Sequence, residues 1–342
     1  MNDKKSLTLD EWVSQVGPSP YTLTSLEMEV FKAGLPVGPD PQYMKGEDGL
    51  NLAYREWVPS SWNGDGPVSI LVPGSSAHSG FYALFGRYMA GRNVLTRIID
   101  TRGHGFSVCQ TAGDRGSPSI VPRIYVDDGT YHSGRLGDCL DPNQVIRDLL
   151  DHIEDLKKRW PRATIHLVGH SSGGGCVSRF VEHIDISKVD SFALLGPYNN
   201  WQQPQNIPQS NNRYSYVDMD LLMNEVIPKN NPHRYVLAFN LSPYQRDSLS
   251  ISRWTWNMVQ AMAATDADGF WKKYTKPVMF IAAEKDELFN LEECHRQHRR
   301  ASAGGPFVVI ENTSHLGLGL SAKVAETLSK WFFDPNPSSI GI

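Results

Sequence analysis

The pentapeptide Gly169-His170-Ser171-Ser172-Gly173 is the strongest chemical signal in the chain. A G-x-S-x-G pattern between an apolar strand and a helix makes a sharp turn that lifts its serine above a sheet. Here the strand is Thr164-Ile-His-Leu-Val168, and the helix opens with Gly173-Gly174-Gly175. A serine hydroxyl is a weak nucleophile near neutral pH. It needs a base, and the base needs an orienting carboxylate. With this kind of turn the chain order is serine, acid, histidine. Downstream, Val278 to Ala283 reads as a strand leading into Glu284-Lys285-Asp286, and Phe307 to Ile310 leads into Glu311-Asn-Thr-Ser-His315. Asp286 is the expected acid, with Glu284 as its competitor, and His315 is the expected base. The attack creates an oxyanion that needs fixed N–H donors. One is expected at Ser172. The other is expected at Ser75, in the loop Val72-Pro73-Gly74-Ser75 that follows the first parallel strand.

These residues need elements to hold them. Apolar strands at Val68 to Val72, Asn93 to Asp100, Thr164 to Val168, Val189 to Leu195, Pro277 to Ala283 and Phe307 to Ile310 alternate with helical patterns. The helical stretches are Phe81 to Ala90, Asp141 to Trp160, Ser172 to His183 and about Leu316 to Phe332. In the second of these, Val145, Leu149, Ile153, Leu156 and Trp160 share one face. Asp141 is its expected N-cap, with Pro142 in the first turn and Gln144 completing a capping-box-like pattern. This alternation predicts an α/β fold: a mostly parallel sheet with helices on both faces. A hairpin is expected before it, with Tyr43 to Lys45 and Leu52 to Val58 flanking Gly46-Glu47-Asp48-Gly49. Residues 1–40 read as an N-terminal arm with one short helix, roughly Leu9 to Val16, and many Pro and Gly. Residues 41–196 and 272–342 form the expected core. Residues 197–271 are an expected lid insertion, with 11 aromatics in 75 residues against 10% overall. A second loop, 108–140, is rich in Gly and Asp.

The chain resembles the α/β-hydrolases, and within them the monoglyceride lipase, lysophospholipase and serine aminopeptidase-like group. Three stretches carry the resemblance. Pro73-Gly74-Ser75-Ser76-Ala77-His78-Ser79-Gly80-Phe81-Tyr82 is similar to that group's H-G-x-x-x-H-S-G-x-Y loop, with Pro73 where the group has His. Asp100-Thr-Arg102-Gly103-His104-Gly105-Phe-Ser107 is similar to its D-x-R-G-H-G-x-S turn. The serine turn itself is the third. The resemblance implies a triad of Ser171, Asp286 and His315, with Ser75 and Ser172 as oxyanion donors. The expected activity is hydrolysis of a carboxylic ester of a small to medium apolar or aromatic substrate. Peptide, lactone, thioester and carbon–carbon bond hydrolysis are alternatives on the same triad. A ligand-binding protein on a hydrolase scaffold is the alternative of another class. An aminopeptidase would need a lid carboxylate for the substrate amine, for which Glu225 and Asp247 are available. His78, Trp201, Trp254 and Trp256 are candidate substrate contacts, against a lid that packs on its own aromatics.

Composition narrows the partners. The 342 residues carry 33 basic and 37 acidic side chains, a net of −4, with no Lys/Arg block. The expected partner is a small-molecule substrate, not nucleic acid. No apolar run of 18 residues exists, so no transmembrane segment is expected. No secretory signal is read at the start. The four cysteines, Cys109, Cys139, Cys176 and Cys294, are far apart without a CxxC pair, which suggests free thiols and a cytoplasmic location. No metal or other cofactor is expected. His104 reads as a loop stabiliser and Cys176 as a packed residue. Cys294, His295 and His298 read as a solvated helix face, and Asp127, Asp128, Asp138 and Asp141 as exposed loop acids.

Overall fold

The computed structural model describes residues 7–21, 23–33, 37–109, 123–199, 213–266, 269–300 and 305–335. The hairpin forms as β1 (Gln42–Lys45) and β2 (Asn51–Trp57), paired antiparallel. Strands covered on both faces are apolar throughout rather than at alternate positions. β3 (Pro67–Val72), β4 (Leu95–Ile99), β5 (Thr164–His170) and β6 (Ser191–Leu195) are mostly apolar in this way and buried over nearly their whole length, with polar exceptions such as Arg97 and His166 that are hydrogen-bonded inside. A separate antiparallel sheet, in the stretch expected to be the lid, contains β7 (Ser215–Val217), β8 (Tyr235–Phe239) and β9 (Arg253–Thr255). The main sheet is completed by β10 (Val278–Lys285) and β11 (Phe307–Ser314). Its order is β1-β2-β4-β3-β5-β6-β10-β11, parallel from β4 to β11. Ligands of such sheets bind at the carboxyl ends of the strands. The ends of β3, β5, β6, β10 and β11 lie side by side there.

Several local expectations change. The long helix runs Gln144–Arg159, starting three residues later than Asp141. Its N-cap is Asn143, without a side-chain cap bond. Asp141 instead accepts the Asn143 N–H at 2.8 Å and pairs with Arg147 at 2.8 Å. Gln144 accepts the Leu140 N–H at 2.8 Å, so the capping box does not close. An acid whose charge can be met by an arginine has less reason to cap. The final helix is split into a 3-10 turn, Leu316–Gly319, and a helix capped by Ser321, Ala322–Phe333. The arm has two helices, Leu9–Gln15 and Ser25–Lys32, each opened by a capping box, Thr8 with Glu11 and Thr24 with Glu27.

The helix Leu291–His298 is only partly solvated. Cys294 and His298 are buried, and His298 packs edge-on against Phe280 with ring centroids 5.8 Å apart. The acidic positions expected to be exposed, Asp127 and Asp138 among them, are engaged rather than free. Asp127 accepts from Arg234 at 3.1 Å, and buried Asp138 accepts from Arg135 at 2.9 Å and Thr255 at 2.6 Å. Among the described residues, no cluster of three or more His, Cys, Asp or Glu could hold a metal ion, and no helix is long and apolar enough to cross a membrane. All four cysteines are free and buried.

Candidate functional site

Ser171 sits at φ 53°, ψ −124°, between the end of β5 and the helix Ser172–His183. Few non-glycine residues adopt positive φ, and such strain collects at functional sites. The turn is possible because Gly173 follows. A side chain there would run into the Val72 carbonyl of the neighbouring strand β3. The strain has a chemical consequence. Ser171 is lifted out of the strand to the mouth of the helix, whose first N–H groups have no intrahelical acceptor.

The loop after β3 lies against this turn. Ser75 donates its hydroxyl to Ser172 Oγ at 3.0 Å, and both residues are buried. Ser76 beside them also has positive φ, at 68°. The Gly74 N–H is already committed, to Tyr82 Oη at 3.0 Å. Tyr82 Oη lies 2.7 Å from His170 Nδ1, and His170 Nε2 lies 3.1 Å from the His315 carbonyl. A carbonyl only accepts, so Nε2 carries the proton. Burial pushes the His170 pKa down to about 3, so the ring is neutral and Nδ1 must accept the Tyr82 hydroxyl proton. The proton order of this relay is thereby fixed from Gly74 to the His315 backbone.

Asp286 and His315 meet over the end of β6. Their strands lie two and three positions from β5, roughly 10–14 Å away at normal strand spacing. Both loops must therefore fold back across β6. Gly196, at φ 45°, leaves room: a Cβ there would stand 3.2 Å from His315 Nδ1 and 3.3 Å from Asp286 Oδ2. His315 Nδ1 is 2.9 Å from Asp286 Oδ2. Asp286 Oδ1 accepts the Leu288 and Phe289 N–H groups at 2.9 and 3.0 Å. The sequence competitor, Glu284, is exposed and accepts the Asn312 N–H at 2.8 Å. His315 is fully buried, and its Nε2 makes no hydrogen bond. A Ser171–His315 bond is thus not formed here. Catalytic bonds often tighten only when substrate binds.

A second carboxylate was not foreseen. Glu287 Oε2 accepts the His315 N–H at 3.0 Å, and its Oε1 is buried without a partner. Burial pushes its pKa up to about 7. Burial alone would lower the His315 pKa, but the charge and hydrogen bond of Asp286, with the charge of Glu287, raise it above the usual histidine value.

The turn at Asp100 to Ser107 supports the site without entering it. Asp100 accepts the Ser79 N–H at 2.6 Å and the Phe106 N–H at 2.9 Å, pinning the loop after β3. Arg102 makes a two-pronged contact with Asp148 at 2.8 and 2.7 Å. His104 receives the Trp254 indole N–H at 2.9 Å, and burial pushes its pKa down to about 4.

The candidate substrate contacts take other positions. His78 is buried, and its Nε2 lies 2.7 Å from lid residue Asp247. Trp254 is 2% exposed and committed to His104. Trp256 packs with Leu222, Val226 and Val236 inside the lid. Trp201 lies outside the described residues. Glu225 pairs with Arg234 at 3.5 Å. Cys176 is fully buried, and burial pushes its pKa up to about 12.

The family described as serine aminopeptidase, S33 matches residues 67–319. Human monoglyceride lipase is 29% identical over 136 residues, which is 40% of this chain and 36% of that relative. The chain thus matches little more than a third of the length of its curated relatives. Among solved structures, a soluble variant of Saccharomyces cerevisiae monoglyceride lipase, in complex with a substrate analogue, superposes with a TM-score of 0.59. It has 15% identity and covers 92% of this chain and 96% of its own. Est1E from Butyrivibrio proteoclasticus, with ferulic acid bound, has a TM-score of 0.55 at 16% identity, covering 88% and 100%. At such identities these likenesses speak to fold.

Proposed function

The chain belongs to the serine aminopeptidase, S33 family and has the α/β-hydrolase fold, and on that premise we propose that it cleaves a carboxylic ester through an acyl-enzyme on Ser171. The observation that carries this is the strained Ser171 turn, bonded to Leu195 at the end of β6, with the His315–Asp286 pair beside the adjoining Gly196. Asp286 accepts from Nδ1, which leaves the lone pair on His315 Nε2 for the serine proton. Ser171 Oγ attacks the carbonyl carbon as Nε2 takes the proton. The oxyanion takes its hydrogen bonds from the backbone N–H groups of Ser172 and Ser75. Gly74 is excluded as a donor because its N–H is held by Tyr82. The protonated imidazole then gives its proton to the departing alcohol. Water, activated by the same nitrogen, releases the acid.

A small to medium apolar or aromatic ester is the proposed substrate. The human monoglyceride lipase relative points to esters. Both lid carboxylates available for the substrate amine of an aminopeptidase are already paired, Asp247 with His78 and Glu225 with Arg234. The test is a fluorophosphonate probe followed by peptide mapping, with p-nitrophenyl esters of increasing chain length beside matched amides, lactones and thioesters. Labelling of Ser171 and preferential ester turnover is the expected result. An amide turned over faster than its matched ester would overturn the substrate class.

The general base must be neutral to act, so kcat/KM falls as His315 protonates. Its raised pKa moves this acidic limb above the ordinary histidine value. Removing the Glu287 charge lowers the His315 pKa and lets the base work at lower pH. In Glu287→Gln the acidic limb should therefore shift toward lower pH. A limb that stays in place, or moves up, contradicts this electrostatic role.

Tyr82→Phe deletes the hydroxyl shared by Gly74 and His170. Each buried group left unpaired should cost about 1–3 kcal/mol of stability. Urea unfolding of the variant reads this directly. An unchanged midpoint would mean that the relay does not hold the loops together.

A further inference from the structure

A buried carboxylate carries a desolvation cost and needs a compensating set of donors. Glu27, on the arm helix Ser25–Lys32, is 7% exposed and has such a set. Its Oε2 accepts the Thr24 N–H at 2.7 Å, which is the local capping bond. The remaining contacts reach 287 residues along the chain. Oε1 accepts the Ser314 N–H at 2.8 Å, and Oε2 accepts the Ser314 hydroxyl at 2.8 Å. Ser314 Oγ in turn accepts the Gly317 N–H at 3.1 Å. One side chain therefore ties down the backbone before and after His315. Capping alone requires none of these long-range bonds.

The rest of the arm is fastened to the His315 ring and to the lid. Buried Tyr21 lies nearly parallel to the His315 ring, 6.1 Å between centroids, and edge-on to Tyr214 at 4.6 Å. The Tyr214 hydroxyl donates to the Ser75 carbonyl at 3.4 Å. Further upstream, Trp12 stacks on lid residue Tyr216 at 5.5 Å, and Asn240 donates to the Gly17 carbonyl at 2.9 Å. The arm thus touches the lid sheet and His315 itself, and reaches the Ser75 loop through Tyr214.

We infer that Glu27 is a positioning residue for this reaction: its carboxylate sets where the His315 imidazole stands relative to Ser171, making the N-terminal arm part of the working site. This rests on the roles proposed above for Ser171 and His315. Misplacing a catalytic group by about 1 Å can cost on the order of 100-fold in rate. Glu27→Gln keeps the volume but puts an amide N–H₂ against one of the N–H groups that the carboxylate now accepts. Ser314→Ala cuts the link from the other side.

The test uses the whole 342-residue chain and two readouts, fluorophosphonate labelling rate at Ser171 and steady-state hydrolysis of p-nitrophenyl butyrate. Both variants should lose about 10- to 100-fold in labelling rate and kcat, with KM little changed. The double variant should lose no more than the worse single one, because both act through one link. Thermal unfolding gives the folded fraction to which each rate is referred. Wild-type rates per folded molecule in Glu27→Gln, or multiplicative losses in the double variant, would overturn the inference. Ser171→Ala separates the two possible failures. If it is inactive while Glu27→Gln is fully active, only the positioning role falls. If it turns over ester within tenfold of the parent, the serine mechanism falls and the positioning role with it.

Discussion

Replacing Ser171 by alanine should lower kcat on the best ester by about a millionfold, the loss seen when a serine nucleophile is removed from such a unit. The size follows from what remains. Without the hydroxyl, His315 has nothing to deprotonate except water, and no acyl-enzyme can form. The N–H groups of Ser172 and Ser75 would still polarise a bound carbonyl, so a residual rate above that in water is expected. The substitution is also informative about the fold. Alanine is not favoured at φ 53° any more than serine is, so the turn keeps its strain and stability should change little. Full loss of fluorophosphonate labelling with unchanged thermal unfolding is the expected pair of results. Turnover within tenfold of the parent would sink the mechanism.

Asp286→Asn should lower kcat by about 10⁴-fold, and the reason lies in three hydrogen bonds. The Leu288 and Phe289 N–H groups both point at Asp286 Oδ1. In asparagine that position must remain an oxygen, because two N–H donors cannot face an NH₂ group. The amide nitrogen is therefore forced to the Oδ2 position, facing His315 Nδ1. Nδ1 must then accept, the imidazole proton moves to Nε2, and the base toward Ser171 is lost. Glu284→Gln should stay within twofold of the parent, because Glu284 is an exposed residue bonded to the Asn312 backbone. A steady-state comparison of the two variants decides the acid. A large loss in Glu284→Gln with a mild one in Asp286→Asn would reverse the assignment.

Legibility tracked the range of the interactions concerned. The serine turn, the hairpin and the alternation of strands and helices are written in contiguous residues, whose periodicity and small side chains act locally. The start of the long helix was misread because Asp141 had a competing use, the charge of Arg147. The second arm helix carried a readable sign, the Thr24-x-x-Glu27 pattern, under a segment dominated by Pro and Gly. Trp254 and His78 have the right chemistry for substrate contact. Their engagement by His104 and Asp247 crosses 150 and 169 residues of chain. No periodicity could have signalled that.

By itself, the sequence determined the candidate nucleophile, its strained turn, the order of the candidate triad's residue types and the kind of sheet that carries them. These follow from backbone geometry and side-chain size within a few residues. Only the tertiary structure decided that Asp286 rather than Glu284 meets His315, and that the Gly74 N–H is already taken. It alone brought Glu287 and Glu27 to the two sides of the histidine loop. Each of those outcomes depends on which donors and acceptors the packed strands bring within about 3 Å, and on burial, which makes an unpartnered group costly.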